Sequence, residues 1–194
     1  MCLVGISELG ALQDDGQDQM TLHTIEAYRL FPGRARDPVN PSRTPLIGGK
    51  RVASALRTLW LLTGNDNPYA DWALVKHEHG INQVQETLRQ EIQKAESKLT
   101  TLRNRGLNFS MLSSAEPVVV NLGFKSPYGY AISMLLVDFD YFVRAQKTLQ
   151  RKNICTDQEM RDALATIQRS IRSIFYSTDR FSRWLNVPQI ASLG

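Results

Sequence analysis

The sequence predicts a mainly α-helical fold with one or two short strands, and three observations carry that prediction. Residues 67–106, NPYADWALVKHEHGINQVQETLRQEIQKAESKLTTLRNRG, repeat apolar side chains at steps of three and four over many turns. Residues 127–152 and 157–176 each carry an apolar stripe at helical spacing. Against these stands a single short β-branched run, VVVNLGFK (118–125), with a weaker candidate at 21–24. A chain of 194 residues can bury a real core. It divides into a flexible leader (1–20) and one domain (21–194), the latter holding a helical hairpin (49–106) and a strand-helix-helix unit (116–176).

The first twenty residues have no sustained period and read as a fraying leader. TLHTIEAYRLF (21–31) suits a strand through Thr24 and then a short helix that Pro32-Gly33 ends. Three prolines and two glycines make 34–49 an irregular connection. In 50–62, Val52, Leu56, Leu59 and Trp60 fall at helical spacing, and Gly64-Asn65 closes the segment. Asn67 is placed to cap the long helix, with Pro68 at its first position. Ile81, Val84, Leu88, Ile92, Ala95, Leu99 and Leu102 then form a coiled-coil-like seam, and Gly80 marks a possible bend. Ser126 and Pro127 open the next helix, whose stripe is Tyr128, Ile132, Leu135, Phe139, Phe142 and Leu149. Thr156 and Glu159 form a capping box before a last helix with Met160, Leu164, Ile167, Ile171 and Ile174 inward. The tail has room for one more turn before Pro188.

Composition narrows the function classes. No segment approaches the roughly 18 consecutive apolar residues of a membrane span, and the N-terminus lacks the basic start of a signal peptide, so a cytoplasmic protein is expected. Cys2 and Cys155 read as reduced thiols. His77 and His79 lie two apart on a helix and point apart, so they cannot share a metal. The same geometry separates Asp138 from Asp140, which read as surface carboxylates near Arg144 and other cations. Gly48-Gly49-Lys50 before a helix is a weak anion site without the preceding strand and full loop of a phosphate cradle. Neither a catalytic constellation nor a cofactor is expected. The net charge is +4. Residues 1–50 carry five Lys/Arg against six Asp/Glu, whereas 144–194 carry nine against four. Positive charge thus gathers toward the C-terminus, as on a nucleic-acid footprint or simply on a solvated helix face.

Two readings fit 118–125. A Val-rich strand can pair inside a core. A strand followed by two helices can also be half of a ribbon-helix-helix unit, in which two copies pair strands and the ribbon enters the major groove. Val120, Leu122 and Phe124 would then face inward, with Val119, Asn121, Gly123 and Lys125 facing the bases. Asn121 suits adenine, Lys125 guanine or phosphate, and Val119 a thymine methyl. Phosphates would meet the helix start at Thr156 and the side chains of Arg161, Arg169 and Arg172, which project away from the apolar stripe.

DNPYADWALVKHE (66–78) and LGFKSPYGYAISMLLVDFDYFVR (122–144), with LHTIEAYRLFPGRARDP (22–38) and LIGG (46–49), resemble the AcaB-type transcriptional regulators of integrating conjugative elements and conjugative plasmids. The resemblance covers most of residues 20–150, while the chain beyond about 155 matches poorly. It implies a ribbon-helix-helix core and a dimeric regulator that binds double-stranded DNA and switches on transfer genes; the helical hairpin would serve dimer stability or contact another protein such as RNA polymerase. One departure is that the helix after the strand reads as about 25 residues, where a compact ribbon-helix-helix unit has a short one. Tyr69 and Trp72 read as packing residues. The competing expectation is an accessory protein of the conjugative element, docking other proteins through an exposed 81–102 seam.

Overall fold

The computed structural model describes residues 16–40, 42, 44–64, 67–124 and 126–185. Cys2, Asn65, Lys125 and Pro188 lie outside the described residues. The elements run β1 (Gln19–Leu22), α1 (Ile25–Leu30), α2 (Gly49–Thr63), α3 (Pro68–Asn104), β2 (Val118–Asn121), α4 (Pro127–Arg151) and α5 (Asp157–Leu185). The fold is therefore mainly helical, with one two-stranded antiparallel sheet. β1 begins inside the stretch expected as leader, because Met20 and Leu22 have a core to enter.

Local chemistry sets the helix starts as the sequence foretells. Asn67 Oδ1 accepts from Tyr69 N at 3.1 Å and Ala70 N at 3.2 Å, and Pro68, which has no N–H to satisfy, follows the cap. Thr156 N donates to Glu159 Oε2 at 2.7 Å and Glu159 N donates to Thr156 Oγ1 at 3.1 Å, which closes the reciprocal cap. Ser126 stands at the start of α4, but its side chain makes no capping bond.

One apolar cluster runs through every element. Leu22, Leu30, Leu56, Leu88, Phe139, Phe142, Ile171 and Phe175 all belong to it. α3 packs most extensively on α4, and α2 touches α3, α4 and α5. The seam on α3 is consequently internal: Ile81, Leu88, Ala95 and Leu99 are buried, the last two against Ala145 and Leu149 of α4. Gly80 marks close packing, not a bend. α3 runs unbroken through it, and a Cβ there would stand 2.5 Å from Ile174 Cδ1 of α5.

Asp140 departs from the surface position expected of it. It is 3% exposed, and its Oδ1 accepts from His23 N (3.0 Å), Thr24 N (2.7 Å) and Thr24 Oγ1 (2.8 Å). Thr24 is itself the N-cap of α1. A carboxylate on α4 thus holds the corner where β1 turns into α1, and satisfies donors that burial would otherwise orphan. Arg144 lies elsewhere, donating Nε to Leu112 O.

Candidate nucleic-acid interface

The β ribbon is built within one chain. Gln19 pairs with Asn121, Met20 with Val120, Thr21 with Val119 and Leu22 with Val118. Strand periodicity then sorts the side chains onto two faces. Met20, Leu22 and Leu122 are buried, and Val120 and Phe124 pack partly against the same core. Phe124 lies where a Cβ on Gly129 would stand, so the ribbon's end is pressed onto the first turn of α4. On the opposite face Gln19, Thr21, Asn121 and Gly123 are exposed, and Val119 is 53% exposed. The pairing with β1 gives β2 a partner within its own chain that the ribbon expected of two chains did not include. β1 occupies one edge of β2, and no described strand occupies the other.

A basic helix flanks this ribbon. A cavity of about 530 Å³ lies between them, lined by Asn121, Gly123 and Phe124 on one side and Lys50, Ser54 and Arg57 of α2 on the other. Those three α2 residues stand at i, i+4 and i+7, the exposed face of a helix whose other side buries Val52, Leu56 and Leu59. Sequence reading missed Gln19, because it fell in the expected leader, and gave Thr21 a strand without a partner. It missed Lys50 and Arg57 because a helix's polar face carries no sign of what it adjoins. Gly48 and Gly49 serve packing. A Cβ on Gly48 would collide with the backbone of Phe31, Pro32 and Gly33, and Lys50 N already donates to Phe31 O.

The C-terminal phosphate candidates have a different setting. The amide and hydroxyl of Thr156 are both engaged by Glu159, whose carboxyl these bonds hold below its usual range. Arg161 pairs with Asp157 at 2.5 Å. Arg172 Nε is buried without a partner among the described residues, and Arg169 is exposed. Thr156 also follows the far end of the 25-residue α4, whose length at 1.5 Å per residue is roughly 37 Å. The basic excess of the C-terminal part is further reduced by the pairs Arg183–Asp179 and Lys147–Glu26.

Among the described residues no group of three His, Cys, Asp or Glu is placed to hold a metal ion. No described helix is long and apolar enough to cross a membrane. An exposed polar ribbon face thus lies over an apolar core, beside a basic helix face. The family model for the transcriptional regulator AcaB matches residues 8–187, and the chain belongs to that family. It is thus a member of a family of transcriptional regulators, a class that works by binding DNA and is not typically enzymatic. The fold is similar to the crystal structure of selenomethionine-containing AcaB from uropathogenic E. coli, with a TM-score of 0.66 and 14% identity over 90% of this chain and 82% of that one. No curated protein matches the chain.

Proposed function

We propose that this protein is a sequence-specific DNA-binding regulator that reads the major groove with the outer face of its β1–β2 ribbon. The observation that carries the proposal is the sorting of the ribbon: Gln19, Thr21, Val119 and Asn121 stand outward over a buried Met20 and Leu22. Amide side chains at 19 and 121 suit adenine edges, and Val119 suits a thymine methyl. Lys125, next along the chain, completes the base-facing set, and Gly123 lets the backbone approach. Lys50 and Arg57 hold the adjoining phosphates, positions that supply affinity without sequence information. Arg169 is a further phosphate contact, whereas Thr156, Arg161 and Arg172 are less suited by their present partners and burial.

The groove, about 12 Å wide, admits two strands at about 4.8 Å spacing but not four. One subunit therefore brings a complete ribbon, and a homodimer places two ribbons on two half-sites. Activation of conjugative transfer genes rests on the family resemblance, and the helical hairpin would serve dimer stability or contact RNA polymerase. The competing accessory-protein reading needs an exposed 81–102 stripe, and α4 covers it.

The test is binding of the full-length protein to fragments upstream of transfer operons, with excess nonspecific competitor and at several salt concentrations. A retained preference for one fragment is expected. Asn121→Ala should cost about 1–3 kcal/mol on that fragment and little on random DNA. Equal losses on both would refute the ribbon's role in base reading.

A further inference from the structure

The outer face of α4 carries an apolar stripe that no described element covers. Met134 is 54% exposed and Val137 40%, and half-buried Tyr130 and Tyr141 continue the line at either end. The steps are four, three and four residues, the spacing of a seam that another helix fills. The hydroxyl of Tyr130 donates to Asp18 Oδ2 at 2.7 Å and that of Tyr141 to Glu96 Oε1 at 2.7 Å, so both rings are held in place before any partner arrives. On one flank of the stripe lies β1 with the corner that Asp140 holds, and on the other lies α3, which bears Glu96.

Two features of the stripe fix what fits it. It is palindromic: Tyr130 and Tyr141 stand symmetrically about a point between Leu135 and Leu136, and so do Met134 and Val137. A second α4 laid antiparallel across a two-fold axis at that point sets Tyr130 on Tyr141 and Met134 on Val137, twice over. That is the self-complementarity an isologous contact requires. Charge agrees with it. Asp18 is exposed beside Tyr130, and Arg144 stands three residues beyond Tyr141, on the same flank, in a hollow with His23 and Thr24. Antiparallel pairing brings Asp18 of one copy toward Arg144 of the other, whereas parallel pairing sets like charges together. Such an axis also keeps the β1 flanks of both copies on one side of the pair.

We propose that the outer face of α4 is a docking surface for a second copy of this chain, whose own α4 lies antiparallel along the Tyr130–Met134–Val137–Tyr141 stripe. The contact deepens the homodimer of the proposed function, on which it rests, and does not depend on base reading by the ribbon.

Analytical ultracentrifugation of the full-length protein without DNA tests it. A reversible dimer is expected at micromolar concentration. Met134→Lys and Val137→Glu each put an unpaired charge into the seam and should each raise the dimer dissociation constant about hundredfold. Both side chains are exposed in the single chain, so unfolding midpoints should stay within the range of surface substitutions. The double variant should regain about tenfold or more, because the antiparallel register sets the new cation of one copy on the new anion of the other. Asn121→Ala should remain dimeric, so a lost DNA preference with an intact dimer faults the ribbon reading alone. A wild type that stays monomeric at about 100 µM, a dimer indifferent to either single substitution, or losses that simply add in the double variant would overturn the proposal.

Discussion

Asp140→Ala should cost this protein about 2–4 kcal/mol of stability, the loss of a buried acceptor that leaves two backbone donors and a hydroxyl with nothing in its place. Asp140 Oδ1 takes bonds of 3.0, 2.7 and 2.8 Å from His23 N, Thr24 N and Thr24 Oγ1. Bonds to a charged acceptor contribute about 1.5–3 kcal/mol each, but removing the carboxylate also relieves its own desolvation, so the net cost falls well below three times that figure. Asp140→Asn keeps an acceptor oxygen and loses only the charge, and should cost roughly half, about 1–2 kcal/mol. Urea unfolding followed by tryptophan fluorescence measures both, since a slope of roughly 2 kcal/mol/M turns the alanine cost into a midpoint shift of about 1–2 M. Amide exchange adds a local readout. The His23 and Thr24 amides should lose protection in the alanine variant and retain most of it in the asparagine variant. An alanine variant within about 0.5 kcal/mol of wild type would refute the reasoning, because that is the range of an ordinary surface substitution. An asparagine variant as unstable as alanine would show that geometry, not acceptor chemistry, is at stake.

Arg57→Ala and Lys50→Ala should each weaken binding to cognate and random DNA alike and lower the salt slope by about one, whereas Arg161→Ala should change little; titrations across salt concentrations distinguish these outcomes. Folded His77 binds a proton less readily than the unfolded chain, whose value is 6.5, so its contribution to stability is complete above that pH and declines as pH falls toward the folded value. Urea midpoints measured between roughly pH 5 and pH 8 should show this slope in wild type and lose it in His77→Phe; an unchanged slope would assign it to other groups. Gly80→Leu drives a side chain against the movable end of Ile174 while gaining about 1 kcal/mol of helix propensity, and should cost a net of about 0–2 kcal/mol by thermal or urea unfolding; a clearly stabilised variant would contradict the close packing of α3 on α5.

Features that depend on neighbours in the chain could be read directly. The starts of α3 and α5 followed from Asn67-Pro68 and from Thr156 with Glu159, because a cap is satisfied within four residues. The apolar stripes marked which faces are buried, and the two-residue period of 118–124 separated Val120 and Leu122 from Val119 and Asn121. Even the burial of Asp140 had a signal. It stands four residues after Leu136 and three before Val143, on a stripe where both are fully buried, and its polarity concealed it.

Contacts between distant segments were settled only by the assembled fold. A strand displays the same backbone donors and acceptors to any partner, so nothing in VVVN specifies that Gln19–Leu22, nearly one hundred residues earlier, pairs with it. A seam at steps of three and four requires an apolar companion without naming it, and here α4 of the same chain supplies it. Lys50 and Arg57 beside Asn121, and His77 beside Phe181 and Trp184, are likewise products of how the helices stack. Periodicity tells each residue which way to face, but hydrophobic burial is non-directional, and only the packing of the whole chain selects what it meets.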